Sequence, residues 1–398
     1  SLVFQRSFIS TLWVLGLKGF GLCLSYVLLI VIAQYYGPEG SGLYNLTTNA
    51  VNLAALTALM GVEGWMLKSG KPFVSDLAFW KYVLQSLRVP AFIMMALMFL
   101  FASTRSGVVK HTLYIGSVFV PVVMAHTLAV EGLASAKKRI SSELMRSIWR
   151  PLLILMAIVL LPLSSQTTPL LWAGVWTMAL TCIILWQFGQ TPTKNGKKDF
   201  RKLDLKDESR GFWWIALGGF TLANICGFYV EAYADVAKAG VVTVLIRVAQ
   251  LSTLSLLAVQ VVWAPEISQA KSATAHAIRL RAVYMGVFLA LLSGCFLWVF
   301  RTWIFSFFGT AWQGIDTLYA PILMGQVLYS ASAGWMVWST MRGASRSIGF
   351  GFLLAAGLQC LAWTWSGSLE YIGWIHGVSF ALLAIWNVQI GQRCTFEK

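Results

Sequence analysis

A chain that is apolar along most of its length does polar chemistry only through the few polar side chains kept inside its apolar runs. Of its 30 Lys and Arg residues, two lie deep inside such runs, away from the ends, Lys18 and Arg247. A guanidinium or ammonium within a bilayer needs an anion, water or backbone carbonyls as company. Thr243 precedes Arg247 by about one turn and Gln250 follows it by about one, so the three share a face. A matching stripe occurs early in the chain, where Asn45, Asn49 and Asn52 recur at i, i+4 and i+7. Side chains of this kind either line a wet cavity or serve as hydrogen-bonding glue between helices. Asn45 and Thr243 taken alone read as glue. Arg247, about 12 Å inside its run at 1.5 Å per residue, reads as lining a cavity.

Other groups carry charge or titrate. Lys18 sits a third of the way into the first run. It either snorkels to the nearer interface or shares a face with Gly21 and Ser25 and brings a second cation to the cavity. Glu63 lies 18 residues beyond Asn45, an integral number of turns, and so on the same face. It balances Lys18, carries a coupling proton or is a plain interfacial carboxylate. His126 stands mid-run, with Thr127 and Glu131 one turn apart beside it. His126 either titrates near neutral pH or makes an interhelical hydrogen bond as a neutral ring, and His376 carries the same two readings. Glu63, His126 and Glu131 are the coupling candidates. Glu231 and Asp235 are expected at an interface. No catalytic constellation and no phosphate-cradling loop is present. Six scattered cysteines without CxxC or His-rich spacing indicate neither a disulfide framework nor a metal site. No enzyme activity and no cofactor is expected.

The elements that must hold these residues follow from composition. The chain is 398 residues, 58% hydrophobic and 11% charged, with a mean hydropathy of +0.71. Soluble domains carry about 25% charged residues, so this is an integral membrane protein. A crossing needs about 20 apolar residues. Twelve runs qualify: 11–34, 43–67, 83–103, 112–135, 146–163, 168–188, 211–231, 239–262, 281–300, 317–340, 347–366 and 369–391. They are too long and too unalternating for a membrane barrel. The first is a retained span rather than a signal peptide. With the N-terminus inside, 24 Lys and Arg fall on the cytoplasmic side and four outside. That asymmetry places both termini in the cytoplasm. It also explains the net charge of +15 without invoking nucleic acid.

The Lys-rich segment 191–210 is the one long polar stretch and reads as a cytoplasmic linker between lobes 1–190 and 211–398. The two lobes repeat. Pro121 to Leu128 aligns with Pro321 to Leu328 at an offset of 200, as does Arg146-Ser-Ile with Arg346-Ser-Ile. In the first hairpin the offset is 198. It sets Asn45, Asn49 and Asn52 on Thr243, Arg247 and Gln250. Six crossings per lobe keep both lobes in the same orientation. The expected fold class is an all-α polytopic membrane protein, two six-helix lobes related by a pseudo-two-fold along the membrane normal. The two polar stripes are expected to face a central cavity.

Three stretches resemble polysaccharide flippases of the O-antigen type, within the multidrug/oligosaccharidyl-lipid/polysaccharide (MOP) exporter superfamily. They are Ala33 to Leu46 (AQYYGPEGSGLYNL), Asp235 to Leu251 (DVAKAGVVTVLIRVAQL) and Glu143 to Leu155 (ELMRSIWRPLLIL). The resemblance implies alternating access and translocation of an undecaprenyl-diphosphate-linked oligosaccharide across a bacterial inner membrane. It implies as partners that substrate, membrane lipids, and a polysaccharide polymerase with its chain-length proteins, for a protein acting as a monomer. Arg247 and Lys18 suit a diphosphate or acidic sugars. The amides and hydroxyls of Asn45, Asn49, Asn52, Thr243 and Gln250 suit sugar hydroxyls. The alternative is an ion-coupled multidrug exporter of the same superfamily. Cation exporters there resemble a pattern with a carboxylate in the first span, where this chain has Lys18.

Overall fold

The computed structural model describes residues 2–62, 77–135, 139–161, 165–189, 205–269, 272–366 and 368–396. Every regular element among them is a helix. In unit order these are α1 (Leu2–Leu59), α2 (Leu77–Ser103), α3 (Gly107–Ser135), α4 (Arg139–Glu143), a π turn (Leu144–Trp149), α5 (Arg150–Leu160) and α6 (Thr168–Gly189). There follow α7 (Leu205–Tyr233), α8 (Val236–Ala249), a 3-10 turn (Gln250–Thr253), α9 (Leu254–Gln269), α10 (Ser272–Val299) and the short α11 (Arg301–Ser306). The chain closes with α12 (Asp316–Ala331), α13 (Ala333–Met341), α14 (Ser345–Ser366) and α15 (Ile372–Phe396).

Nine helical stretches among the described residues are long and apolar enough to cross a bilayer. The first, Gly16–Leu59, is 44 residues, about twice what one crossing needs. It breaks at Gly37, whose φ of 66° and ψ of −172° leave the helical region, just before Pro38. A glycine takes a positive φ without a Cβ clash, and the proline that follows has no N–H to continue the ladder. Two more crossings are interrupted. One is α4, the π turn and α5; the other is α12 and α13, separated at Ser332. With the doubled first stretch and these two, the twelve crossings are accounted for, six per unit.

The chain divides into two compact units, 1–213 and 214–398. The segment 191–210 expected as a linker lies largely outside the described residues. In unit 1, a side chain at Gly21 of α1 would collide with Ser147 of the π turn. In unit 2, one at Gly218 of α7 would meet Phe352 of α14, and one at Gly349 would meet Trp214. The first and fifth crossings thus approach closely through glycine in both units, the packing by which small residues bring membrane helices together. Unit 1 also stacks Trp80 on Phe188 with ring centroids 5.2 Å apart. Unit 2 builds its core on Leu222, Tyr329, Phe352 and Phe380. Outward faces stay apolar, as at Phe288 and Trp365, which is the pattern of a surface solvated by lipid.

Candidate functional site

In unit 1 the asparagine stripe points into the helix packing. Asn45 is 2% exposed, and its Nδ2 donates to the Ser41 carbonyl at 2.9 Å. Its bond stays within its own helix, because Ser41 stands one turn before it. Asn49 is equally buried. Asn52 is half-buried and lines a void of about 20 Å³ with Thr48, Arg150 and Thr177. Arg150 belongs to this interior although its sequence context groups it with the cytoplasmic cations. The helical segment carrying it begins at Arg139, so Arg150 stands within the crossing, beside this void, rather than in a loop ahead of it.

Lys18 is neither at a free interface nor bare in a cavity. Its Nζ lies 4.0 Å from Glu143 Oε2, with side-chain exposures of 27% and 7%. The Ser147 hydroxyl donates to the same carboxylate. One turn away, Arg146 donates to Glu131, and Ser142 donates to the Val130 carbonyl at 2.9 Å. Two cations and two carboxylates therefore stitch α1, α3, α4 and the π turn together. Thr127, paired in sequence with Glu131, donates instead to the Val123 carbonyl of its own helix. Glu143 and Arg146 were missed as site residues. Their signal was the run of charges just ahead of an apolar stretch, read as a loop. Glu63 lies outside the described residues.

His126 is 5% exposed, with Nδ1 3.2 Å from Thr181 Oγ1. The Thr181 hydroxyl already donates to the Thr177 carbonyl at 2.7 Å. It must therefore accept from the ring, which places the proton on Nδ1. Nε2 has no hydrogen-bond partner among the described residues.

In unit 2, Asp235 caps α8 by accepting from the Lys238 N–H at 2.7 Å. Because α8 begins at Val236, Arg247 lies about 16 Å along it, deeper than the run expected at 239 implied. That is near the middle of a hydrocarbon core about 30 Å thick. Arg247 is half-buried in a stretch whose neighbours Val244, Leu245, Ile246, Val248 and Ala249 are all buried. Thr243 is buried and donates to the Ala239 carbonyl at 2.7 Å, again a bond within its own helix. Gln250 ends α8 and opens the 3-10 turn, a change of winding that often marks a hinge.

Gln250 also lines a cavity of about 410 Å³ formed wholly by unit 2. From Gln326 in its lining runs a buried polar chain that sequence reasoning did not assemble. Gln326 of α12 and Gln359 of α14 approach the two ring nitrogens of His376 on α15, at 3.3 and 2.8 Å. All three residues are 0% exposed. Gly325 and Gly377 let α12 and α15 touch backbone to backbone at this level. The signal was three polar residues inside apolar runs, but they are too far apart in the chain to be grouped without the fold.

The chain's geometry matches solved transporter structures. One is an outward-facing multidrug resistance MATE family transporter of the MOP superfamily, with a TM-score of 0.65, 11% identity, and 97% of this chain and 95% of that one covered. Another is an inward-facing one, at 0.63 and 12%, with 94% of each chain covered. A third is the MATE multidrug transporter DinF-BH in complex with R6G, at 0.66 and 12%, covering 99% of this chain and 97% of that one. No protein-family model matches the sequence, and no curated protein does. The chain is a multi-pass membrane protein with the fold of the MATE transporters, two six-helix units.

Proposed function

We propose that the protein is a flippase for an undecaprenyl-diphosphate-linked oligosaccharide, an O-antigen or capsule-type repeat unit, working by alternating access in a bacterial inner membrane. Arg247 carries the reading. A half-buried guanidinium near the middle of a membrane-crossing helix favours an anionic solute and repels a cationic one. Lys18 and Arg150 add interior cations in unit 1, and no carboxylate interrupts the first crossing between Gly16 and Gly37. The sugar-bearing, diphosphate headgroup is what such groups recognise, while the polyprenyl tail stays in lipid. The distribution of Lys and Arg supports cytoplasmic termini. A monomer, handing its product to a polymerase and chain-length proteins, completes the proposal.

Coupling belongs to Glu131 and His126 in this account. Protonation of Glu131 would release Arg146, so a proton arriving there frees a cation for an anionic headgroup. The second reading, an ion-coupled multidrug exporter, is favoured by the similarity to MATE multidrug transporters, one solved with R6G. Arg247→Ala separates the two. The flippase reading expects loss of surface glycan while the variant inserts and accumulates normally. Normal surface glycan in cells carrying only that variant would remove the reading.

A further inference from the structure

The cavity of unit 2 has a size and lining that call for a ligand of its own. At about 410 Å³ it falls in the range of small-molecule sites, about 300–1,000 Å³. Its polar lining consists of the amides Gln250, Gln260 and Gln326 with the hydroxyls of Thr253, Thr340 and Tyr329. No Lys, Arg, Asp or Glu lines it among the described residues. Tyr329, Phe352 and Phe380 form an aromatic wall, with Tyr329 edge-to-face on the other two at 5.9 and 5.4 Å.

Gln326 is the informative member. Both glutamine Nε2 atoms are set toward the His376 ring, yet a neutral imidazole has one N–H and one bare nitrogen. One of the two amides must therefore present its oxygen to the ring. If Nδ1 carries the proton, it donates to Gln359, Gln326 donates to Nε2, and the Gln326 oxygen is left over. If Nε2 carries it, the Gln326 oxygen accepts, and its N–H groups are left over. In the recorded orientation Gln326 Oε1 is fully buried and has no hydrogen-bond partner among the described residues. Whichever tautomer holds, one amide atom of Gln326, a residue of the cavity lining, lacks a partner among the described residues, at a cost that a ligand hydroxyl reaching it would remove.

We infer that this cavity binds an uncharged, hydroxyl-rich ring, a neutral sugar residue, with Gln326 as its specificity-determining contact. A sugar hydroxyl donates and accepts, so it satisfies either state of the Gln326–His376–Gln359 chain. The apolar face of the ring lies on the aromatic wall, as in other sites that combine apolar walls with a few placed polar groups. A charged sugar would lose its hydration with no counter-charge in reach. The inference rests on the flippase reading and adds a division of labour: cations hold the diphosphate, and unit 2 reads a neutral sugar.

The test compares two probes on the full-length protein in nanodiscs, undecaprenyl diphosphate and the same carrier bearing one N-acetylglucosamine. The sugar-bearing probe is expected to bind wild type about tenfold tighter, the effect of one or two neutral hydrogen bonds. Gln326→Leu is expected to cut that advantage to within twofold and to leave the bare carrier unchanged. Thr253→Val, a near-isosteric change in the same lining, is expected to reduce it several-fold and guards against a misfolded Gln326 variant. An advantage retained in both variants, or absent from wild type, overturns the inference. If neither probe binds, the flippase reading fails instead. Saturation-transfer NMR with methyl N-acetylglucosaminide then decides the cavity alone: transfer lost in Gln326→Leu upholds it, and no transfer to wild type rejects it.

Discussion

Removing the Lys18–Glu143 pair should reveal how unit 1 stores interior charge. At 4.0 Å two unit charges attract by about 1 kcal/mol in water and about 4 kcal/mol at an effective dielectric near 20. Lys18 keeps 27% of its side chain exposed and Glu143 only 7%, so the pair lies between those limits. A double-mutant cycle of Lys18→Met and Glu143→Gln should give a coupling of about 1–3 kcal/mol. Lys18→Met alone should cost more than the double variant, because it strands a buried carboxylate with Ser147 as its remaining hydrogen-bonding partner among the contacts described. Equilibrium unfolding of the purified protein in mixed detergent measures the cycle. A coupling under about 0.5 kcal/mol, within the additivity of independent sites, would refute the pairing. The same variant has a functional readout. Glu143→Gln removes the carboxylate that competes for Lys18, so undecaprenyl diphosphate should bind several-fold tighter. Unchanged affinity would make Lys18 a purely structural cation.

Three further outcomes follow from the packing. Gly21→Val drives a side chain into Ser147 and should destabilise unit 1 by about 1–3 kcal/mol, the usual range for overpacking, seen as a lowered unfolding midpoint; a wild-type midpoint would show that α1 and the π turn separate easily. His376→Phe leaves Gln326 and Gln359 without the ring they both approach and should cost about 2–4 kcal/mol from two stranded amides, whereas Thr181→Val, which removes a single partner from His126, should cost about 1 kcal/mol; equal costs would contradict the ranking. Arg279 is buried between Trp335 and Trp338, with its guanidinium carbon 5.1 and 5.7 Å from their centroids. Arg279→Lys keeps the charge but not the planar stack, so it should lower thermal stability measurably, and an unchanged melting curve would remove the stacking role.

Much of the architecture was readable in the chain because lipid imposes a length and a polarity on each crossing. The hairpin break at Gly37-Pro38 and the twelve runs follow from local chemistry, whereas the helix cap made by Asp235 went unread. The repeat was legible through Pro121 and Pro321 and through the Asn45 and Thr243 stripes. Side-chain partners were not legible. Asn45 and Thr243 bond within their own helices because Ser41 and Ala239 stand one turn before them, a geometry that competes with any bond across helices. Arg146 and Arg150 resembled loop charges because hydropathy began the fifth crossing at 146, while the helical segment begins at Arg139. Arg150 then lines the interior void, and Arg146 reaches Glu131 with its own side chain 42% exposed. His376, Gln326 and Gln359 come from three helices, and their meeting depends on the close approach at Gly325 and Gly377.

The central claim is that interior cations select an anionic lipid-linked glycan. Purified protein in liposomes, given undecaprenyl diphosphate bearing one N-acetylglucosamine in the inner leaflet, tests it most directly. The account predicts protein-dependent appearance of the glycan at the outer leaflet, abolished by Arg247→Ala. Glycan that stays in the inner leaflet while R6G is moved by the same liposomes would contradict it.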